Sequence, residues 1–101
     1  MFRVKDVMTD EVITSQPGDS LESAVRIMEA RGCGCVPVVN AANKVVGLVT
    51  DRDAVMCALR EKRSLADLRV SDACTHAVVC CDANDTLERA EVLMRVNQVR
   101  R

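Results

Sequence analysis

The residues best suited to hold a small polar ligand lie together in the segment GLVTDRD. Thr50 and Asp53 follow a run of β-branched residues, at a point where the sequence predicts that a helix begins. A threonine hydroxyl can donate to a phosphate, which the unpaired amides and positive end of a helix also attract. Asp53 can accept from sugar hydroxyls, and Gly47 lets backbone or ligand approach closely. Because Thr or Asp at a helix start is more often a plain cap, this segment alone does not establish a function.

The cysteines and the single histidine are the other side chains with metal-binding or redox chemistry. Zinc or redox sensing would require Cys33, Cys35, Cys80, Cys81 and His76 to converge. Their spacing is not that of a zinc finger, and adjacent cysteines on a strand point to opposite faces. Since these cysteines lie in aliphatic runs, we expect buried thiols, no metal and no disulfide framework. No nucleophile stands beside a base, so the sequence predicts no enzyme.

Composition excludes several classes of partner. The net charge is −1 with acids and bases spread along the chain, and Phe2 is the only aromatic residue. Neither a basic face nor a stacking platform is therefore available for nucleic acid. No apolar run reaches the ~20 residues of a membrane span, and the N-terminus lacks a signal-peptide core. We expect a cytoplasmic protein with no membrane partner.

An internal repeat organises the chain. Val4 and Val70 are 66 positions apart, and the same offset aligns identical residues along both copies. Each copy predicts a short strand, a turn and a capped helix, with strands around Val12 and around Val78 and Val79. The predicted N-caps are Asp19 and Asp85, each with a glutamate three residues later that completes a capping box, namely Glu22 and Glu88.

The first copy continues further than the second. Its helix has Leu21, Ala24, Val25 and Met28 on one face and ends at Gly32. Two β-branched runs at hairpin spacing follow, and then a second helix that starts near Asp51. The runs are Val36–Val39 and Val45–Thr50, and the predicted buried stripe of the second helix is Ala54, Val55, Ala58 and Leu59.

Repeat and motif together resemble the cystathionine-β-synthase-type regulatory domain, the CBS domain, whose tandem pairs are called Bateman modules. The resembling segments are VKDVMTDEVITSQPGDSLESAVRIM, VPVV, VVGLVTDRD and VSDACTHAVV with NDTLERAEVLM. The G-x-x-T-x-x-D pattern of Gly47, Thr50 and Asp53 is similar to the nucleotide-binding signature of that family. The resemblance implies an α/β (α+β) fold of small sheets packed with helices, with one repeat over residues 1–66 and an incomplete one over residues 67–101.

The resemblance also implies a ligand. Such pairs bind AMP, ADP, ATP or S-adenosylmethionine between their repeats, as regulatory ligands and not as required cofactors. By resemblance Asp53 holds the ribose hydroxyls and Thr50 the phosphate or its equivalent. The base would lie against the opposite repeat, at Thr75, Val79, Cys80, Val99 and Arg100. A second cleft would use Thr9, Ile13, Thr14, Cys33 and Gly34.

The second copy departs from the family pattern. Arg101 aligns with Cys35, so counterparts of the hairpin and of the Thr/Asp pair are absent, as expected of a truncated chain. We expect a homodimer, helix-packed or with exchanged strands, that covers the apolar stripe of the second copy, which consists of Leu87, Ala90, Leu93 and Met94. Regulatory output would pass through an unidentified partner protein or through assembly. A structural dimerisation module without a ligand is the remaining alternative.

Overall fold

The computed structural model describes all 101 residues, which form two compact units. The central unit is Ile13–Val78, and the terminal unit combines Met1–Val12 with Val79–Arg101. The predicted repeats, 1–66 and 67–101, divide the chain by similarity and remain a prediction. The elements in chain order are α1 (Val4–Val7), α2 (Leu21–Arg31), β1 (Cys35–Val39), β2 (Val45–Thr50), α3 (Asp51–Glu61), a 3₁₀ turn (Leu65–Asp67), α4 (Val70–Ala73) and α5 (Leu87–Asn97).

An antiparallel hairpin, β1 with β2, forms the sheet of the central unit. Val36 pairs with Val49, and a register shift follows Val38. The turn between the strands is held by Asn40, whose Oδ1 accepts from the amides of Ala42 and Lys44, both at 3.0 Å. The predicted hairpin is therefore confirmed, because alternating β-branched residues could bury one face while a polar turn closed the strands.

Helix α2 is confirmed, but its predicted cap is wrong. Ser20 is the N-cap, and its Oγ accepts from the amide of Ser23 at 3.1 Å. Asp19 instead accepts from the amide of Gln16 at 2.8 Å and closes the preceding turn. A short hydroxyl one residue closer to the helix competes successfully for the first-turn amide. Gly32 ends the helix at φ 63°, as predicted.

The second copy repeats both the arrangement and the error. Thr86 caps α5 by accepting from the amide of Arg89 at 3.1 Å. Asp85 accepts from the amide of Asp82 at 2.9 Å, so it also closes a turn and is not the N-cap.

The strand predicted before each of these helices does not form. Near Val12, only Ser15 makes a bridge, through two hydrogen bonds to β1 with N···O distances of 3.0 and 2.8 Å. Pro17 and Gly18 follow at once and turn the chain, which limits pairing to one residue. Around Val78 and Val79 no strand forms.

Helix α3 begins where predicted but buries a different face. Ala54 and Cys57 are buried, whereas Val55 is 65% and Leu59 is 70% exposed. Positions 54, 57 and 58 follow helical spacing and point one way, and the cysteine occupies the place that the prediction gave to aliphatic residues. The predicted stripe is thus correct at Ala54 and Ala58 and wrong at Val55 and Leu59.

All buried residues belong to the central unit, and the terminal unit has none. The core combines one face of α2, the inner face of the hairpin, part of α3, and Leu68 and Val70 from the segment that follows. Its members are Leu21, Ala24, Met28, Val36, Val38, Val49, Ala54, Cys57, Leu68 and Val70. The two short helices, α1 and α4, were not predicted, since four residues are too few for a periodic pattern.

Hydrogen bonds repeat at the offset of 66 residues. In the central unit the amide of Val70 donates to Asp19 O at 2.9 Å, and in the terminal unit the amide of Val4 donates to Asp85 O at 2.9 Å. The same correspondence relates the bridges Ser20–Arg69 and Arg3–Thr86. The two copies therefore share a local structure as well as a sequence pattern.

Candidate functional site

The candidate site lies where β2 runs into α3. Thr50 is the N-cap of α3, and its Oγ1 accepts from the amide of Asp53 at 3.0 Å. Asp53 Oδ2 in turn accepts from the amide of Thr50 at 3.0 Å. This capping box satisfies two backbone donors and fixes both side chains at the strand end. Both residues remain partly exposed.

The capping box leaves polar capacity unused. Thr50 uses its oxygen as an acceptor, so its hydroxyl proton is still available to donate. Asp53 uses one carboxylate oxygen, and its Oδ1 has no partner within the chain. A donor and a charged acceptor are therefore displayed side by side, held by a structure that forms without any ligand.

The expected open amides at the start of α3 are absent. The amide of Asp51 donates to Gly34 O at 3.0 Å, and the amide of Arg52 donates to Asp51 Oδ1 at 2.8 Å. The amide of Asp53 is taken by Thr50. The prediction that unpaired amides attract phosphate here is wrong, because Gly34 O, Asp51 Oδ1 and Thr50 Oγ1 occupy them.

Gly47 is required by the protein's own backbone. The residue after it, Leu48, exchanges two hydrogen bonds with Thr75, with N···O distances of 2.9 and 2.7 Å. A Cβ at position 47 would come within 2.8 Å of Thr75 O. Gly47 therefore permits a close approach, and the group that approaches is Thr75. This contact brings predicted residues Gly47 and Thr75 together beside β2.

Sequence reasoning missed Cys74. Its Sγ would lie 3.4 Å from a Cβ on Gly47, and it lies 3.9 Å from His76 Nε2. Burial raises the pKa of the Cys74 thiol, and the nearby Asp53 carboxylate raises that pKa further against a lowering backbone hydrogen bond. A raised pKa disfavours the thiolate that nucleophilic, redox and metal chemistry need. No pattern in the sequence places Cys74 beside Gly47. Its position follows from the bridge between Leu48 and Thr75, which only the structure shows.

The remaining predicted residues divide between the units. Ile13, Thr14, Cys33 and Gly34 belong to the central unit, as Gly47, Thr50, Asp53 and Thr75 do. Five others belong to the terminal unit, namely Thr9, Val79, Cys80, Val99 and Arg100. Of these, Val79, Cys80 and Val99 line an apolar groove along α5.

The cysteines are more exposed than expected. Cys33, Cys80 and Cys81 are exposed, and only Cys57 is buried. The expectation of buried thiols is wrong for these three cysteines, because none of them lies in a strand. Cys33 precedes β1, and no strand forms around Cys80 and Cys81. The structure contains no cluster of three or more His, Cys, Asp or Glu side chains placed to hold a metal ion.

None of the helices has both the length and the apolar character needed to cross a membrane.

Comparison with known proteins gives a consistent family. The family model described as "CBS domain" matches residues 4–59. The CBS domain-containing protein YhcV of Bacillus subtilis is 33% identical over 101 residues, which are 100% of this chain and 71% of that protein. The chain spans less than a fifth of the length of three other curated relatives that it matches.

Two solved structures share the fold and were determined with ligands. The protein CBSX2 in complex with AMP is 21% identical with a TM-score of 0.79, over 100% of this chain and 81% of that one. The CBS domain pair of protein MJ0100, in complex with 5′-methylthioadenosine and S-adenosylmethionine, is 19% identical with a TM-score of 0.83, over 97% and 75%. With the family model matching more than half of its residues, the chain belongs to the CBS domain family.

Proposed function

We propose that this chain is a regulatory module that binds an adenosine-containing ligand at the β2–α3 junction of the central unit and has no catalytic activity of its own. The observation that carries the proposal is the pair of unused groups at that junction, the Thr50 hydroxyl proton and Asp53 Oδ1. Related folds bind AMP, 5′-methylthioadenosine and S-adenosylmethionine, which supports this ligand class.

Asp53 is proposed to bind the ribose. A carboxylate oxygen accepts from the two vicinal hydroxyls of a ribose, and a hydrogen bond to a charged group contributes about 1.5–3 kcal/mol. The capping box holds Asp53 in place before the ligand arrives, so no rotamer entropy is lost on binding. Thr50 would donate to the group that extends from the ribose.

The remaining predicted residues are proposed as the surroundings of the ligand. In the central unit, Thr75, Ile13 and Thr14 are exposed or partly exposed and available for contact. Cys33 and Gly34 precede β1, and Gly34 O already accepts from Asp51. The residues assigned by resemblance in the terminal unit, namely Thr9, Val79, Cys80, Val99 and Arg100, remain predictions.

The charge at the junction favours ligands with few phosphates. Asp51 and Asp53 both lie in the first turn of α3, and the amides there are already occupied. Thr50 supplies one hydroxyl donor, so each phosphate beyond the first would gain no open donor at this junction and would meet two carboxylates. We expect AMP and S-adenosylmethionine to bind more tightly than ATP.

A ligand panel tests the proposal. Thermal unfolding is followed with AMP, ADP, ATP, S-adenosylmethionine and, as a matched control for the base, GMP. A ligand at 100 times its dissociation constant adds about 2.7 kcal/mol to the free energy of unfolding. Stabilisation by at least one adenosine compound and not by GMP is the expected result. Equal effects of AMP and GMP would contradict the proposed adenosine specificity.

We also propose that the protein is a homodimer, since exposed apolar side chains occur on helices of both units, for example Leu59 at 70% and Val96 at 74% exposure. A dimer that binds no ligand in the panel would favour the alternative of a structural dimerisation module. Regulatory output to a partner protein would then be carried by assembly alone.

A further inference from the structure

Two thiols separated by a single glycine lie where the chain enters β1. Cys33 is exposed and Cys35 is partly exposed. The Sγ of Cys33 donates to Cys35 O at 3.6 Å, so this side chain is directed along the chain toward the second cysteine. The positions 66 residues later hold Val99 and Arg101, so the repeated fold does not require a thiol at either place.

The backbone between these thiols is compatible with a disulfide. Two residues of extended chain span about 6.6–7.2 Å. A bend at Gly34 shortens that span toward the distance of about 4.4–6.8 Å that separates the Cα atoms of ordinary disulfides. Because Gly34 has no Cβ, a small ring closed across it meets no side chain of its own. A local movement of the chain is therefore enough to join Cys33 and Cys35.

The other four cysteines are less suited to such a bond. Cys57 is buried, and burial raises the pKa of the Cys74 thiol. Cys80 and Cys81 are neighbours in sequence, and a trans peptide holds their Cα atoms only about 3.8 Å apart. That separation is below the ordinary range for a disulfide, so a bond between them would be strained. The pair across Gly34 is thus the best placed within the chain.

The same segment supports the start of α3. Cys35 pairs with Thr50 across the hairpin, and the amide of Asp51 donates to Gly34 O at 3.0 Å. This hydrogen bond flanks Cys35 and Thr50 as a non-hydrogen-bonded pair, in which the two side chains lie close together on one face of the sheet. A movement of the main chain at Gly34 and Cys35 therefore acts directly on Thr50, the N-cap of α3.

We propose that Cys33 and Cys35 form a reversible disulfide that lowers the affinity of the β2–α3 junction for its ligand. Closing the ring draws Cys35 away from Thr50 and Gly34 O away from the amide of Asp51, so the capping box loses its neighbouring contacts on β1. The effect on affinity rests on the proposed function, whereas the disulfide and the loss of the Asp51 hydrogen bond do not.

The oxidant is a low-molecular-weight disulfide. The Cys33 thiolate attacks one sulfur of that disulfide, whose S–S bond breaks and releases one small thiol, and a mixed disulfide forms on Cys33. The Cys35 thiolate then attacks the Cys33 sulfur, breaks the mixed bond and releases the second small thiol. The two protons of the protein thiols pass to the two released thiolates. Two protein thiols are thus oxidised and one small disulfide is reduced, and an excess of small thiol reverses both steps.

Tryptic mapping after equilibration with oxidised and reduced glutathione tests the disulfide. Cleavage after Arg31 and Lys44 releases residues 32–44, which contain Cys33 and Cys35 and no other cysteine. As the fraction of oxidised glutathione rises, we expect this peptide to resist alkylation and to be lighter by two hydrogen atoms. In Cys35→Ser, Cys33 should instead keep the mixed disulfide, because the second attack is removed. A wild-type peptide that stays reduced would overturn the assignment.

Hydrogen exchange tests the link to the junction without any ligand. Loss of the hydrogen bond to Gly34 O should speed exchange of the Asp51 amide about tenfold in the oxidised protein. The amide of Asn40, which donates to Lys44 O at 2.9 Å at the other end of the hairpin, is the matched control and should exchange at an unchanged rate. Unchanged exchange at Asp51 in the oxidised protein would overturn the link.

Calorimetry with AMP and S-adenosylmethionine separates this inference from the proposed function. The oxidised protein should bind about tenfold more weakly than the reduced protein, and reduction with dithiothreitol should restore the affinity. Equal affinities of the two forms would overturn the regulation. Absence of binding by the reduced protein, together with faster exchange at Asp51 on oxidation, would overturn the proposed function and leave the disulfide and its effect on the hairpin standing.

Discussion

Thr50 and Asp53 show how one pair of residues can serve structure and binding together. Their reciprocal hydrogen bonds, both 3.0 Å, are those of an ordinary capping box. The capping box consumes one acceptor site on each side chain and leaves Asp53 Oδ1 and the Thr50 hydroxyl proton for another partner. The sequence alone could predict that Thr50 and Asp53 lie at the start of a helix. It could not predict that the helix amides are occupied, because that depends on Gly34 O and Asp51 Oδ1.

Gly47 is the residue at which a single methyl group should be most costly. Gly47→Ala places a Cβ only 2.8 Å from Thr75 O, and a backbone atom cannot move away as the end of a flexible side chain can. We expect the free energy of unfolding in urea to fall by about 1–3 kcal/mol, as for overpacked sites. Gly18→Ala is the matched control, with no atom within 4 Å of its added Cβ. Equal stability of the two variants would contradict the close approach.

At the scale of elements, the sequence predicted correctly those helices and strands whose apolar residues follow a regular local spacing. Strand β2 begins and ends at the predicted residues, and α2 buries its predicted face, because alternation and helical spacing report directly which side is apolar. The errors occur where two nearby groups compete for one role. Ser20 displaced Asp19 as the cap, and Cys57 displaced Leu59 in the buried stripe of α3.

The cap of α2 provides a test at this scale. Ser20→Ala removes the acceptor for the Ser23 amide and should lower the free energy of unfolding by about 1 kcal/mol. Glu22→Gln should cost less than about 0.5 kcal/mol, since Glu22 makes only an exposed ion pair with Arg26 at 2.7 Å. Denaturant unfolding measures both. A larger loss of unfolding free energy in Glu22→Gln than in Ser20→Ala would contradict Ser20 as the cap and favour the predicted capping box of Asp19 and Glu22.

At the scale of the whole molecule, the two units differ in burial although they contain the same repeat. Every buried residue lies in the central unit, because only there do a helix and a hairpin cover each other. The sequence could predict that α2 would be covered, since a hairpin pattern follows it within the central unit. It could not predict the division into units, because Met1–Val12 joins Val79–Arg101 through contacts such as Val4 N to Asp85 O.

Hydrogen exchange should report this difference. Amides of α5 should exchange through openings of lower free energy than amides of α2 in the central unit, because local stability follows buried apolar contacts. The measurement is made by NMR at a protein concentration at which the chain is monomeric. Equal protection of α2 and α5 in the monomer would contradict the difference in burial between the two units.

The most direct test of the proposed function is the affinity of AMP and S-adenosylmethionine for the Asp53→Asn variant, measured by calorimetry. The Asn side-chain oxygen can still accept from Thr50 N, but the position of Oδ1 then holds an uncharged NH2 group, which donates and cannot accept from the ribose hydroxyls. We predict binding about 10- to 100-fold weaker than in the wild type, the worth of hydrogen bonds to a charged group. Asp19→Asn, which changes a carboxylate that accepts from Gln16 N at 2.8 Å, should bind as the wild type does. Wild-type affinity in Asp53→Asn would contradict the assignment of Asp53 to the ribose, and absence of binding by both ligands to the wild type would contradict the proposed function itself.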